Sequence, residues 1–356
     1  MSAHLAARER VLVRVPDWLG DLVMAEPALR GVHERVRELD GELTLAGIPH
    51  LLELFDGVFE GARRVDARDT RAWRGHDLAL LLTNSFRSAW QAWTAGIPRR
   101  IGAARDARGW LLTHAVTPAL ERGRAPLGIG RVGRGARYLP RPFGASCIEL
   151  AHWAGCTVRD PRPRLVVARD AQRAAEARLA AFGLSRDAAF VLANVGGRAG
   201  GAKSLSSTIW GHALAGLAQP VVLVAGPGEE AALDEVRALA PRAHACAAPL
   251  AGLRELAALS SLARVVATTD SGPRHVANAV GAALVVVFGP TDPRHTADHT
   301  QSTTALRVPL ECGPCHRERC ELTGDAHMRC MRAISPEALR AAIEARLVHA
   351  ERVATA

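Results

Sequence analysis

The 356-residue chain lacks an apolar run long enough to cross a membrane. A membrane-spanning helix needs about 20 consecutive apolar residues, and the longest candidate, residues 276–288, is shorter than that. The opening residues, MSAHLAARER, precede a short apolar strand and do not resemble a secretory signal peptide. We therefore expect a cytoplasmic protein that makes at most peripheral contact with the inner face of the cytoplasmic membrane.

Lysine is almost absent, because Lys203 is the one lysine among 45 basic residues. The formal net charge is +9, and residues 99–141 alone hold ten arginines and two acids. Such a run is commonly just a solvated face or loop. Only Trp110 and Tyr138 offer rings for base stacking in this segment, so we expect no nucleic-acid partner. An acidic acceptor or an anionic membrane surface fits the charge better.

The sequence also lacks the pattern GxGxxG after a strand, which disfavours a dinucleotide-dependent dehydrogenase. What it contains is an alternation of short apolar strands and helical segments, which predicts an α/β fold. Its length favours two domains. We place them at residues 1–165 and 166–334, each Rossmann-like and doubly wound, and predict a last helix within residues 335–356.

Residues 267–296, ATTDSGPRHVANAVGAALVVVFGPTDPRHT, predict a strand, a tight turn, a helix and a second strand. Ser271 in the turn is a residue type that caps helices. A helix N-terminus at the end of a strand attracts anions, so this turn, with Arg274 and His275 beside it, predicts a phosphate or sugar-phosphate site. An ordinary crossover and a structural histidine are the alternatives.

In order and spacing, this stretch resembles glycosyltransferase family 9, the bacterial ADP-heptose:lipopolysaccharide heptosyltransferases, and among them heptosyltransferase II. The resemblance implies a GT-B-like architecture of two Rossmann-like domains facing a cleft, with the helix of residues 335–356 packing back on the first domain. It also implies donor binding by Asp270, Ser271, Gly272 and His275. No DxD motif is present, which disfavours the metal-chelated nucleotide sugar of the other major glycosyltransferase fold.

The segment VPDWLGDLVMAEPAL places Asp21 at the start of a helix, after a strand. The helix dipole favours a carboxylate there without any function, but an ionised carboxylate at that position can also serve as a general base for a sugar hydroxyl. The segment is similar to the family's opening motif PxWxGDxVMxxPAL, whose Asp is the proposed catalytic base. The resemblance therefore implies that Asp21 is the base.

Lys203 lies in a glycine-rich loop after a predicted strand. A surface lysine is normally just solvated, yet a point charge in such a loop can neutralise a leaving pyrophosphate. The loop, GRAGGAKSLS, is similar to the family's GPAKRWP loop, whose lysine binds the phosphates of the donor. Ser204 and Leu205 depart from the family pattern. Glu229 or Glu230 resembles a contact on the nucleotide side.

Four cysteines near the C-terminus have a spacing that suits zinc, and they are Cys312, Cys315, Cys320 and Cys330. Disulfides are disfavoured in a reducing cytoplasm. Similar cysteines accompany the heptosyltransferase II pattern, and the chemistry of that family is not thought to need a metal. A reduced structural cluster is therefore favoured over structural zinc, and we expect no metal and no cofactor at the reaction site.

Taken together, the resemblance implies an inverting, metal-independent glycosyltransferase that moves a heptose from ADP-heptose to an acidic glycolipid or glycan. The expected acceptor is the lipopolysaccharide inner core, bound in part by the arginine-rich residues 99–141. One alternative keeps the fold and a nucleotide-sugar donor but has a different acceptor, such as a secondary metabolite or a surface glycan. The other is a catalytically degenerate nucleotide-binding module with structural zinc.

Overall fold

The computed structural model describes residues 3–122, 137–197, 201–246, 250, 252–296 and 302–355. The chain forms two compact units, residues 1–164 with 294–298, and residues 165–293 with 299–356. The first change of unit, at Arg164–Leu165, lies one residue from the boundary expected from the sequence. Among the described residues, no helix combines the length and the hydropathy that a bilayer crossing requires.

The first unit contains a six-stranded, all-parallel sheet with the order β3-β2-β1-β4-β5-β6. Its strands are β1 (Arg10–Arg14), β2 (Glu42–Gly47), β3 (Arg63–Asp66), β4 (Leu78–Leu81), β5 (Arg99–Ala103) and β6 (His114–Val116). A separate antiparallel pair consists of β7 (Leu120–Arg122) and β8 (Arg137–Tyr138). The helices are α1 (Leu19–Met24), α2 (Glu26–Glu38), α3 (Pro49–Leu52), α4 (Phe86–Thr94) and α5 (Phe143–Trp153).

The second unit repeats this strand order as β11-β10-β9-β12-β13-β14, again all parallel. Its strands are β9 (Val191–Asn194), β10 (Val221–Val224), β11 (His244–Ala245), β12 (Val265–Thr269), β13 (Leu284–Phe288) and β14 (Thr303–Arg307). The helices are α6 (Arg169–Ala181), α7 (Ser207–Ala215), α8 (Glu230–Leu239), α9 (Leu253–Leu262), α10 (Gly272–Ala279), α11 (Arg329–Arg332) and α12 (Pro336–Thr355).

The central strands of both sheets are mostly apolar and buried. In β4, β9, β10, β12 and β13 every residue is buried. Helices cover both faces of a parallel sheet, so such strands show continuous apolar runs and no alternation. The α/β fold with two Rossmann-like sheets is therefore confirmed.

The helical spacing of apolar residues over 22–36 predicts one helix, but the structure divides this stretch into two helices. α1 ends at Met24, and α2 starts at Glu26 with Pro27 in its first turn. Proline has no N–H to donate and suits the first turn of a helix. The proline therefore marks a new helix start and not a tolerated interior position.

The sequence indicates a solvated face or loops for the arginine-rich residues 99–141, but the structure shows that part of this segment forms strands. They include β5 and β6, and residues 123–136 lie outside the described part of the chain. Strand β5, RRIGA, has little apolar character, but its register with β4 buries Ile101 and Arg99. Hydrophobic periodicity could not reveal this strand because arginines occupy two of its positions.

The last helix, α12, is grouped with the second unit, and its return to the first domain stays a prediction. Leu339, Ile343 and Leu347 recur on one face of the helix and are buried in one core cluster with Trp210 and Ala213. A guanidinium adds polar contacts, because Arg340 donates to the carbonyl oxygens of His212 and Ala213 near the end of α7. The apolar face thus finds its partner within the second unit.

Candidate functional site

The strand order reverses at one position in each sheet, between β1 and β4 and between β9 and β12. In open parallel sheets, ligands bind at the carboxyl ends of the strands at such a point. Asp21 follows β1, and Asp270 directly follows β12. Both predicted site carboxylates therefore lie where the topology of their own unit favours a ligand.

In the first unit, Asp21 occupies the first turn of α1 and is half-buried. It lines a cavity of about 330 Å³, whose polar lining also includes Asn84, Arg105, Arg141 and Glu149. A carboxylate in the first turn of a helix is stabilised electrostatically. Arg141 forms an ion pair with Glu149, so the cavity combines a candidate base with this pair, a second arginine and an amide, groups that can hydrogen-bond a hydroxyl-rich molecule.

Several arginines of residues 99–141 hold the first unit together. Arg99 forms an ion pair with Glu9, and Arg100 donates from Nε to the carbonyl oxygen of Leu111 over 2.7 Å. Burial lowers the pKa of Arg108 to about 10, and its Nε donates to the carbonyl oxygen of Ala103 over 2.9 Å. The predicted basic surface is therefore smaller than the sequence indicated, and Arg105 and Arg141 are its described members that reach the cavity.

In the second unit, Asp270 is the centre of a charged cluster. It is 2% exposed, and its Oδ1 lies 3.1 Å from Nε of Arg274, which is equally buried. The hydroxyl of Thr291 donates to Oδ2 over 2.6 Å. Lys203, 45% exposed, brings its Nζ to 3.6 Å from the same Oδ2. Two cations thus face one carboxylate, and the more exposed cation is the lysine.

His275 and Ser271 differ from what their positions in the sequence suggested. Burial, helped by the charges of Arg274 and Lys203, lowers the pKa of His275 well below its ordinary value, so its imidazole is neutral. Ser271 precedes α10, but its side chain does not cap the helix and instead donates to the carbonyl oxygen of Thr269 over 3.3 Å. Gly272 is the first residue of α10, so the helix start presents backbone and no bulky side chain.

The residues after Lys203 explain part of the departure from the family loop. Leu205 is buried in the core of the second unit. Ser204 packs so closely against Gly197 that a Cβ atom added to this glycine would lie 3.0 Å from the serine Oγ. Glu229 accepts the N–H of Gly226 over 2.9 Å and so braces the turn after β10. These side chains support the loops around the cluster through protein contacts.

The four C-terminal cysteines line one cavity of about 220 Å³ in the second unit. Cys312 and Cys315 are exposed, Cys320 and Cys330 are half-buried, and all four are free thiols. Burial, together with the other three thiols, raises the pKa of Cys330. The Sγ of Cys320 accepts the N–H of Met328 over 3.3 Å. Thiolates are ligands that thiophilic ions prefer, but the four sulfur atoms are not gathered closely enough to form one ligand set in this structure.

Residues 213–325 match the model of glycosyltransferase family 9 (heptosyltransferase). The chain carries a glycosyltransferase family 9 domain. The match includes Asp270, Ser271, Gly272 and His275, whereas Asp21 and Lys203 lie outside it. The family resemblance and the enzyme class, a glycosyltransferase, are thereby confirmed. No curated protein sequence matches the chain.

Solved structures of heptosyltransferases are similar to nearly the whole chain, including the part that matches the family model. E. coli ADP-heptose lipopolysaccharide heptosyltransferase II is 21% identical, with a TM-score of 0.71 over 96% of this chain and 99% of that one. E. coli heptosyltransferase WaaC with ADP-2-deoxy-2-fluoro heptose is 15% identical, with a TM-score of 0.63 over 94% and 99%. The iron-containing dodecameric glycosyltransferase TibC from enterotoxigenic E. coli is 14% identical, with a TM-score of 0.57 over 99% and 78%. These similarities establish a GT-B-like fold.

Sequence reasoning missed two members of the cluster in the family 9 domain. Arg274 was noted beside the turn but not as a site residue, and Thr291 was not considered. Both hold the carboxylate of Asp270. Arg274 could have been found from its spacing, because it lies four residues after Asp270, a separation that favours an ion pair. No local pattern indicates Thr291, because it comes from a different segment, after the carboxyl end of β13, which pairs in parallel with β12.

Proposed function

We propose that the protein is an inverting heptosyltransferase that moves a heptose from ADP-heptose to an acidic acceptor, with the lipopolysaccharide inner core as the expected acceptor. The observation that carries the proposal is the Lys203–Asp270–Arg274 cluster at the carboxyl end of β12, in and beside the family 9 domain. Support for the donor comes from the resembling structures, which are an ADP-heptose heptosyltransferase and a heptosyltransferase with ADP-2-deoxy-2-fluoro heptose.

In this proposal, Asp21 removes the proton from an acceptor hydroxyl, and that oxygen attacks the anomeric carbon of the heptose. The bond from the anomeric carbon to the phosphate oxygen breaks in the same displacement, so the configuration inverts and ADP leaves with the bonding electrons. Lys203 and the start of α10 stabilise the negative charge that develops on the diphosphate. Asp270 acts by positioning Lys203, because its own oxygens contact protein groups.

The proposal is metal-independent, since Lys203 and the helix start supply the electrostatic stabilisation that a metal would otherwise give. The cysteine cluster is a separate feature, and we propose that it is structural. The four cysteines are proposed to form a reduced structural cluster, in line with their free thiols, with structural zinc as the alternative. The protein is proposed to act in the cytoplasm.

The test is a transfer assay that follows ADP release and a mass increase of the acceptor by one heptose. Asp21→Asn should reduce the turnover number by two to four orders of magnitude, roughly the contribution of a general base, while ADP-heptose binding changes little. Asp17→Asn is the matched control, because Asp17 lies two residues before the helix of Asp21 and the amide oxygen of the variant can still accept from Arg14.

If Asp21→Asn transfers heptose at the rate of Asp17→Asn, the base assignment is wrong. If neither the unchanged protein nor the variants release ADP with inner-core acceptors, a panel of other glycans tests the alternative acceptor. Tight ADP-heptose binding without transfer to any of them would instead favour a nucleotide-binding module.

A further inference from the structure

The exposed side of α4 is aromatic, which is unusual for a surface helix. Phe86, Trp90 and Trp93 follow one another at spacings of four and three residues, which places them on one face. They are 40%, 41% and 46% exposed, whereas Ser88 and Ala89 on the other face are buried. Trp110 from the following segment is 53% exposed. We call Phe86, Trp90, Trp93 and Trp110 the aromatic patch.

The four rings form one continuous surface. The centroids of Trp90 and Trp93 are 5.1 Å apart, and Phe86 lies 6.2 Å from both Trp90 and Trp110. Only 4% of the chain is aromatic, yet these rings contribute to the surface and not to a core. Single exposed aromatic residues need no explanation, but a contiguous cluster marks a binding surface.

The surroundings of the aromatic patch are cationic. Between residues 78 and 98 the one charged residue is Arg87. Arg87 is exposed and borders the aromatic face of α4. The short helix Thr70–Trp73 contacts α4, and Arg71 and Arg74 of this segment are exposed. A partner for this surface should therefore be apolar at its centre and anionic around it.

We propose that the aromatic patch docks the protein on an anionic phospholipid bilayer, with the tryptophan rings at the level of the headgroups. Tryptophan favours the membrane–water interface, where its ring is apolar and its N–H stays wet. The bordering arginines meet the negative surface potential of anionic lipids. A second copy of this chain is a poorer occupant, because it would bring two arginine-bordered surfaces together.

The position of the aromatic patch gives the docking a purpose. Asn84 and Arg105, which line the cavity of Asp21, precede Phe86 by two residues and Trp110 by five. Docking therefore holds this cavity close to the bilayer surface, where an amphiphilic acceptor is anchored. This last step rests on the proposed function, whereas membrane docking itself does not.

The test is sedimentation of the full-length protein with vesicles of phosphatidylcholine and phosphatidylglycerol, compared with vesicles of phosphatidylcholine alone. The unchanged protein should bind the anionic vesicles, and Trp90→Ser/Trp93→Ser should bind roughly tenfold or more weakly, because two interfacial rings are lost. Trp153→Ser is the matched control, since Trp153 is 47% exposed in the same unit but outside the patch. Brominated lipids should quench the fluorescence of the unchanged protein more than that of the double variant.

Three outcomes would overturn the proposal. The unchanged protein fails to bind anionic vesicles, or the double variant binds them as well as Trp153→Ser does. In the third, the unchanged protein dimerises without vesicles and the double variant is monomeric, which assigns the patch to a second copy. Circular dichroism of each variant verifies the fold. Because the readout is vesicle binding, a negative result leaves the proposed transfer reaction untouched.

Discussion

At the scale of single residues, the buried pair of Asp270 and Arg274 fixes the charge that the site offers to a ligand. Two such groups are expensive to bury unless they are paired, and here they lie 3.1 Å apart. Their charges cancel locally. The ammonium of Lys203 therefore gives the cluster its positive character, and it does so from a half-exposed position where a phosphate can reach it.

Lys203→Ala should weaken ADP-heptose binding by about tenfold to a hundredfold, because a charge-assisted contact with a phosphate is lost. Calorimetry measures this, with Arg186→Ala as control, since Arg186 is an exposed cation of the same unit. Chelator should change neither affinity, in line with a metal-independent donor site. Binding that Lys203→Ala leaves intact, or that chelator abolishes, would contradict the assignment.

Glu26 gives a pH-dependent prediction in the first unit. Burial raises its pKa from 4.5 to about 7, against the opposing contacts with the N–H of Arg164 and with Arg30. A pKa that is higher in the folded than in the unfolded state means that Glu26 keeps its proton to a higher pH when the protein is folded. Its contribution to stability is therefore complete below pH 4.5 and is lost as the pH rises towards 7.

Glu26→Gln keeps an acceptor for the N–H of Arg164 and has no charge to bury. The variant should therefore be more stable than the unchanged protein at pH 8, with a larger free energy of unfolding, and should differ little from it at pH 4.5. Urea unfolding at both pH values measures the difference, with Glu38→Gln as control, because Glu38 is exposed on the same helix. A variant that loses stability chiefly at pH 8 would mean that the ion pair with Arg30 outweighs burial.

The sequence predicts candidate site residues, but it does not predict the contacts between them. Asp270 and Lys203 were selected separately, one in a turn and one in a loop, and no local pattern relates them. Their 3.6 Å approach arises because the loop after β9 and the turn after β12 follow adjacent parallel strands. The neutral state of His275 was equally inaccessible, since it follows from complete burial beside two cations.

At the scale of elements, α12 illustrates how an amphipathic pattern predicts a helix but not its partner. Its start at Pro336 agrees with the serine and proline found there in the sequence. The apolar face shows only that something covers it. The partner is the core of the second unit, where Leu339 and Ile343 are fully buried.

Ile343→Ala should lower the free energy of unfolding by about 2–5 kcal/mol, because it leaves a cavity in that core. Hydrogen exchange should accelerate in α7, which α12 contacts. Val348→Ala is the matched control, since Val348 lies on the same helix and is 50% exposed. Faster exchange in α2 or α5 with α7 unchanged would place α12 on the first unit after all.

Strand prediction succeeded where strands are central and failed at the edges. Apolar runs at residues 11–15, 78–82, 190–193, 262–267 and 283–288 predict the central strands β1, β4, β9, β12 and β13, each to within about three residues. The edge strand β3, RRVD, has its two arginines exposed. Edge strands are covered on fewer sides and carry charges that discourage further pairing, so their sequences hold little of the apolar signal.

At the scale of the whole molecule, the sequence predicted two Rossmann-like halves because each contains the same alternation of strands and helices. It did not predict that both sheets have the identical strand order. Strand order depends on which apolar surfaces meet across long connections, and a linear pattern does not record this. The arginine content likewise predicted a basic protein, but it did not predict which guanidiniums form contacts within the protein. Arg99 pairs with Glu9, and Arg108 donates to the carbonyl oxygen of Ala103.

The repeated strand order has a consequence for how such an enzyme can evolve. The candidate base and the cation cluster belong to separately folded sheets, and the chain passes between the two units at only a few positions. Substitutions that reshape the cavity of Asp21 therefore need not disturb the packing that holds Lys203. The family match of residues 213–325, confined almost entirely to the second unit, fits this independence. Under the proposed function, the second unit can therefore keep its donor site while substitutions in the first unit change the acceptor.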